Sequence, residues 1–317
     1  MRGEPASVPS APPAVATVTG WSVHLVGPVP EAVGDLEPVA GCTADDAREI
    51  LGRKGLLYKE AATRLALCAV HRALDRPPRA PRPDGPPDPR TAVVASSNLG
   101  NTATVRSVMA TVAATSGRDV SPLAAPNASS NVVASSVALW FRFGGPNLML
   151  CSGAVSGLDA VAAAIRLLRT DRADRVVVVG VEPGDEVARA VHHSTPAAAA
   201  GFPLREGAAC LILERGGSPA AGTPVVEPLA TAPVTTAEGA PPVAVFGPCP
   251  PDWPLPPRVV GPKELEGDGY GAAGVVYTAL AASLLAGGGT ASAAVTCGDD
   301  VDGWRFARVR VAGEAHV

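Results

Sequence analysis

The fold is decided by the stretch Gly145–Glu182, GPNLMLCSGAVSGLDAVAAAIRLLRTDRADRVVVVGVE. Asn147–Ser152 is a short apolar run bounded by turn residues, the pattern of a buried strand. Leu158–Arg169 carries apolar residues at helical spacing, and Arg175–Val181 (RVVVVGV) is a β-branched run typical of a central strand. Small residues join the first strand to the helix, so the chain turns there through an elbow. A side chain at such a turn sits at a helix N-terminus, where the dipole lowers a thiol's pKa and backbone N–H groups can hold an oxyanion. Small neighbours keep the turn tight and let a substrate come close. Many α/β proteins share this pattern, so the elbow alone does not name a chemistry.

Upstream of it, Thr91–Ser96 reads as a strand, Thr102–Ala114 as a helix, and Ser129–Phe141 as an Ala/Val-rich helix stopped by Gly144-Gly145-Pro146. A first strand is expected near Ala16–Gly20, and one or two helices over Asp45–Leu74, capped by Thr43 or Asp45. Residues 77–90 hold seven prolines among charges and form an exposed linker. Downstream, Ala208–Glu214 is a strand that closes a first half near residue 215, and Thr223–Pro257 is Pro-rich with short apolar runs. Gly271–Leu285 is an Ala-rich helix, followed by strands at Ala291–Cys297 and Phe306–Val311. Strands alternating with helices in both halves argue for a layered α/β protein. The expected organisation is a flexible tail over 1–15, an N-terminal half over 16–215 and a C-terminal half over 216–317.

Composition narrows the function classes. Of 317 residues 47% are hydrophobic, and 34 Gly and 33 Pro stand against 4 Trp, 3 Tyr and 5 Phe, which supports a sizeable core and excludes collagen, coiled coil and long disorder. No segment approaches about 18 uninterrupted apolar residues and the N-terminus has no signal-peptide pattern, so the chain reads as soluble and cytoplasmic, with no membrane partner. A net charge of −4 without a basic block argues against a nucleic-acid partner. The six cysteines, Cys42, Cys68, Cys151, Cys210, Cys249 and Cys297, form no C-x-x-C pair and none has a histidine at metal-ligand spacing, so neither a disulfide framework nor a metal site is expected.

The elbow block resembles that of the β-ketoacyl synthases, thiolase-fold condensing enzymes whose pattern is G-P-x-x-x-x-x-T-A-C-A-S-G ahead of a helix and an A-G-G-x-E strand. Gly145, Pro146, Ser156 and Gly157 match it, and Gly180-Val181-Glu182 closes the block. Arg205-Glu206-Gly207-Ala208-Ala209 with Leu211-Ile212-Leu213-Glu214 is similar to the family's G-E-G-A-G-x-L-V-L-E strand, and Lys263 to Gly274 (KELEGDGYGAAG) to its K-x-x-x-G-H-x-x-G-A-A-G block. Val120-Ser121-Pro122 and Asn131-Val132-Val133-Ala134 resemble the stretch that crosses the family's dimer interface. The matches run in the family's order over most of residues 16–317. They imply a thiolase fold, layered αβαβα with two pseudo-repeated halves, and an interface through Asn131, Pro146, Asn147, Leu148, Met149 and Leu150.

The departures carry the functional expectation. The family's nucleophilic Cys falls on Ala154, the first of its two histidines on Phe246 and the second on Asp268, while Lys263 is retained. The only histidines are His24, His71, His192, His193 and His316, so none lies between 194 and 315. The F-G-F-G-G turn is replaced by Thr296-Cys297-Gly298-Asp299-Asp300. A condensing-enzyme scaffold without its catalytic side chains is similar to the chain-length factors of type II polyketide or polyene synthases. That resemblance implies a heterodimer with an active ketosynthase holding an intact Cys and two His, an acyl carrier protein as further partner, and no cofactor. It also implies a channel wall, expected on the Thr102–Ala114 helix, where Val105, Val108, Met109 and Val112 share one face. The plain alternative is that this stripe is ordinary core.

Plain readings apply elsewhere too. Cys151 reads as a core strand residue, His192-His193 as a solvated loop pair, Asp268 as a helix cap or a partner of Lys263, and Ser152 and Ser156 as helix-start residues. Two other functions fit the same residues: a decarboxylase or acyltransferase using Cys151 or Asp268, and a homodimeric acyl-binding protein.

Overall fold

Val176 and Val178 leave the strand Arg175–Glu182 on one side and Val177, Val179 and Val181 on the other, and all five are fully buried in two separate clusters. A strand apolar on both faces needs a layer on each side. The structure, a computed structural model, supplies them. It describes residues 15–28, 30–33, 36, 40–195, 198, 201–216, 219–230, 242–250, 253, 258–286 and 292–312. The expected tail, apart from Val15, lies outside the described residues, as do Ala291 and parts of Thr223–Pro257.

The elements in chain order are β1 (Ala16–Val26), β2 (Ala40–Gly41), α1 (Arg48–Leu51), α2 (Ala61–Ala73), β3 (Thr91–Ser96), α3 (Thr102–Ala114), α4 (Val132–Phe141), β4 (Asn147–Leu150), α5 (Ser156–Arg169), β5 (Arg175–Glu182) and α6 (Glu186–His193). Then follow β6 (Gly207–Arg215), β7 (Pro224–Val226), β8 (Ala244–Phe246), β9 (Val259–Val260), α7 (Ala273–Leu285), β10 (Ser292–Asp299) and β11 (Gly303–Val311).

Strand pairing repeats. The order is β4-β3-β5-β6-β1 and then β7-β11-β10-β8-β9, with β2 beside β1. Read inward from the two ends, both sets place their third strand outermost, then the second, fourth, fifth and first, leaving β2 out of the count. Directions repeat as well. β3 is parallel to β4 and β5, and β6 is antiparallel to β5 and β1. In the second set β8 is parallel to β9 and β10, and β11 is antiparallel to β10 and β7. The first strands of the sets join antiparallel, Ala16 opposite Val226.

Two helices occupy the space between the sets. α7 is buried along nearly its whole length, and α5 buries Leu158, Val161, Ile165 and Leu168 in the same cluster as Val176 and Val178 of β5 and Ala293 and Val295 of β10. A helix apolar all round belongs at the centre of layers. The two helices cross at Gly157 and Gly274, where a Cβ on Gly157 would lie 2.5 Å from the Gly274 nitrogen. On the far side of the first set, α2 and α4 cover Val93, Val177 and Val179. On the far side of the second, Trp253 and Phe306 meet edge to face at 5.6 Å above Val245 and Ala294.

Two expectations and one alternative reading need correction. The first strand runs to Val26 rather than ending near Gly20, because Thr19 bulges out between Val18 opposite Leu213 and Gly20 opposite Ile212, and the ladder then resumes. The strand starting at Asn147 ends at Leu150 and is only half-buried, with Leu148 40% exposed, because it forms the free edge of the sheet. The Val105/Val108/Met109/Val112 stripe is not core: α3 buries none of its side chains, and Met109 is 67% exposed. No helix among the described residues is long and apolar enough to cross a membrane.

Candidate functional site

The edge strand β4 passes through Cys151 and Ser152 into a single 3-10 turn, Gly153–Val155, and then into α5. Gly153 makes the turn at φ +68°, a left-handed conformation that glycine adopts without strain. Ser156 starts the helix: its Oγ accepts the Ser152 N–H at 2.7 Å and donates to the Gly153 carbonyl at 2.8 Å. The Ser152 hydroxyl donates to Asp159 at 2.7 Å. Both serines are thus occupied in building the turn, as read from the sequence.

The turn is also held from outside. Asn98, after β3, accepts the Gly153 N–H at 3.1 Å and donates to the Gly153 carbonyl at 2.9 Å. The Asn98 N–H in turn donates at 2.8 Å to Glu182, which also accepts from the Leu99 N–H at 3.0 Å and the Ser97 hydroxyl at 2.9 Å. Glu182 is fully buried at the end of β5, and burial pushes its pKa up to about 8. The acidic residue that closes the elbow block therefore positions the loop that clamps the elbow.

Ala154 sits at the apex, nearly buried, and presents only a methyl there. Its N–H, one of the free donors at a helix start, is not open: it donates at 2.8 Å to Oδ2 of Asp302, at the tip of the β10–β11 hairpin. Asp302 was not singled out by the sequence. Nothing local to DDVDGW says that its third carboxylate reaches an elbow about 150 residues away (|i−j| = 148).

A cavity of about 700 Å³ opens beside the apex, walled mainly by apolar side chains. It gathers Ala154, Lys263 and Asp268 on one surface, with Tyr270, Cys249 and Trp304. Phe246 is not on that surface. Its side chain is fully buried in the central cluster below, and only the next residues, Gly247 to Cys249, reach the wall.

Asp268 does cap the turn that follows it, accepting the Tyr270 N–H at 2.8 Å, but its ion-pair partner is not Lys263. His192 donates or accepts at 2.9 Å through Nε2 against Asp268 Oδ2 and meets Tyr270 edge to face at 5.5 Å. His192 is therefore no solvated loop residue. It is 2% exposed, because Asp185 caps α6 through the Val187 and Ala188 N–H groups and the amphipathic last turn rolls His192 inward. That capping Asp was the available signal. The imidazole stands behind Asp268 and does not line the cavity. Tyr270 itself holds φ +43°, an uncommon value for a non-glycine residue, and burial lifts its hydroxyl pKa to about 12.

Cys151 is exposed rather than core, because it follows an edge strand. Burial of its sulfur and the nearby Glu182 raise its pKa, and the thiol is spent on the Ser97 carbonyl at 3.1 Å. A raised pKa is the reverse of nucleophile activation.

The expected interface residues surround the free edge. Asn131 donates to Asn147 Oδ1 at 2.9 Å and Asn147 donates to the Ala134 carbonyl, while on β4 Leu148 alone is exposed and Met149 and Leu150 pack inward. Met109, Val112, Leu123, Leu139 and Leu148, half of the large apolar residues exposed among those described, all fall between residues 102 and 150.

The chain matches the β-ketoacyl synthase N-terminal domain over residues 53–217, just over half its length. It is similar to a solved structure of the ishigamide ketosynthase/chain length factor, at 19% identity and a TM-score of 0.69, over 94% of this chain and 100% of that one. It is also similar to AntDE:AntF (apo), a type II PKS acyl-carrier protein in complex with its ketosynthase bound to the hexaketide, at 12% identity and a TM-score of 0.65, over 95% and 99% of the two chains. No curated protein sequence matches. With the repeated strand order, the paired central helices and the family block centred on the elbow, the chain has the thiolase fold and belongs to the β-ketoacyl synthase family.

Proposed function

We propose that this chain is the non-catalytic, chain-length-setting subunit of a ketosynthase heterodimer in polyketide or polyene synthesis. Its partner holds the acyl chain on an intact Cys with two His, and an acyl carrier protein delivers the units. The observation that carries this reading is the elbow apex: Ala154 offers no sulfur, and its N–H is taken by the Asp302 carboxylate. An oxyanion placed there would meet a like charge in place of a donor. Neither family histidine has a replacement on the cavity wall, since Phe246 is core and Asp268 is tied to His192.

The surface supports a partner. Exposed large apolar side chains on α3, in the 121–128 segment and on the free edge of β4 are what a surface awaiting a partner presents. An obligate interface of about 2,000 Å² or more would cover it. Val105 and Val108 are half-buried and Met109 and Val112 exposed, which suits a helix that waits for a second wall to form a channel. The two similar structures are a ketosynthase/chain length factor and a ketosynthase in complex with its acyl-carrier protein, which supports the role and the partners inferred here.

The test is co-expression with an intact-Cys ketosynthase and reconstitution of the pair. Val105→Trp and Met109→Trp, each in a pair that assembles to wild-type extent, shorten products by at least one two-carbon unit, because overpacking costs about 1–3 kcal/mol or more per displaced group. An unchanged product distribution in both would remove α3 from the channel. A chain that stays monomeric beside such a partner, or that condenses malonyl thioesters alone, would overturn the subunit reading itself.

A further inference from the structure

His24 on β1, Cys42 just after β2 and Cys68 in α2 are far apart in sequence, and no spacing rule joins them. The fold brings them together, which spacing along the chain did not show. One donor atom of each lies within 4.8 Å of the other two. His24 Nε2 and Cys42 Sγ are 3.8 Å apart. A tetrahedral zinc ion, about 2.3 Å from sulfur and about 2.0–2.1 Å from nitrogen, sets its donor atoms about 3.5–3.8 Å apart. The His24–Cys42 separation thus matches one edge of such a tetrahedron, and the remaining two are no longer than 4.8 Å.

Chemistry and access agree with that spacing. His24 Nε2, the ring nitrogen of the group, lies 3.1 Å from the Cys42 N–H and 3.0 Å from the Cys42 carbonyl, so a bound ion takes the place of that backbone contact. His24 Nδ1 is buried without a hydrogen-bond partner. Two thiolates and an imidazole are a soft donor set suited to zinc. The hydrogen bond from Cys68, with His24 and Arg72 nearby, favours the Cys42 thiolate, while that same bond and burial hold the proton on Cys68. His24 and Cys68 are fully buried while Cys42 is partly exposed, so the group meets the surface through Cys42. None of the three lines the cavity beside Ala154, and nothing in the proposed function uses them.

We propose that His24, Cys42 and Cys68 bind one zinc ion, with water as fourth ligand, fastening β1 to α2. Binding needs both sulfurs as thiolates, so the proton held on Cys68 goes to solvent, and no oxidation state changes.

The experiment uses the reduced, metal-free full chain. Cobalt(II) serves as the visible probe and should give a thiolate-to-metal charge-transfer band at one equivalent, displaced by zinc. Cys42→Ser should abolish the band and Cys249→Ser should leave it. Because a variant can fail through misfolding, the second readout is on the wild-type chain. With free zinc at about 100 times its measured Kd, alkylation of Cys42 should slow by about a hundredfold, while alkylation of Cys151 is unchanged. No band, no protection of Cys42, or a band that survives Cys42→Ser would overturn the site. So would a Cys42–Cys68 disulfide that forms under oxidised glutathione at the same rate with and without zinc, since that would make the pair a redox couple only.

Discussion

Replacing Glu182 by Gln isolates a charge that the fold holds away from water at the centre of the elbow clamp. Burial raises the Glu182 pKa from its ordinary 4.5 to about 8. Between those values the folded chain keeps a proton that the unfolded chain gives up. The contribution to stability is therefore full below about pH 4.5 and is lost as pH rises toward about 8. Each pH unit inside the window is worth at most about 1.4 kcal/mol, so between about pH 5 and about pH 7 the wild-type chain should lose about 2–3 kcal/mol through this group. Gln has nearly the same shape, can still accept from the Asn98 N–H, and does not titrate. Like the neutral acid, it leaves one of the Leu99 and Ser97 donors less well met. The two chains should then be similar near pH 5, and Glu182→Gln should become the more stable as pH rises. Urea unfolding at a series of pH values, with other titrating groups common to both chains, reads the difference directly. A difference that does not move with pH, or that moves in favour of Glu182 as pH rises, would show that the carboxylate is ionised in the fold and held by its N–H donors, and the reasoning would fail.

Two further perturbations probe the crossing and the apex. Gly157→Ala puts a methyl 2.5 Å from a backbone nitrogen and 2.7 Å from the Gly274 Cα, neither of which can rotate away, and should cost about 1–3 kcal/mol in the same unfolding assay; no loss would mean that α5 and α7 part freely. Ala154→Cys should give no condensing activity and a slowly alkylated thiol. Adding Asp302→Asn should speed alkylation by on the order of tenfold, one pKa unit, by removing the charge beside it, and an unchanged rate would place Asp302 away from the apex in solution.

Local pattern was enough to read the elements because valines in alternation and Ala-rich helical runs have one good solution each in a layered protein. β5, α5 and α7 fall within two residues of their expected bounds. What local pattern could not carry was pairing over long distances. β4 looked buried because its composition is apolar, but the composition of a strand that a partner covers and of a strand the chain covers is the same. His192 looked solvated because a His-His pair in a charged neighbourhood usually is, and only the arrival of the 268–270 turn gives it a partner. Ala154 and Asp268 could be placed through the family pattern, whereas Asp302 and the His24, Cys42 and Cys68 group depend on contacts between distant segments. Phe246 lies below the wall because a large apolar side chain at the end of β8 turns into the central cluster.

The join between β1 and β7 bears on how the chain comes off the ribosome. Everything through β6 is synthesised before the first strand of the second set exists, yet the inner faces of β5, β6 and α5 are covered by α7, β10 and β11. Until those last residues emerge, a valine-rich surface at the middle of the finished molecule is open to water and to other chains. Such a nascent half is the state from which condensation into aggregates starts. Yield in the cell should therefore respond more to the speed with which the final hundred or so residues are delivered, and to chaperones that hold the first half meanwhile, than to the stability of the completed fold.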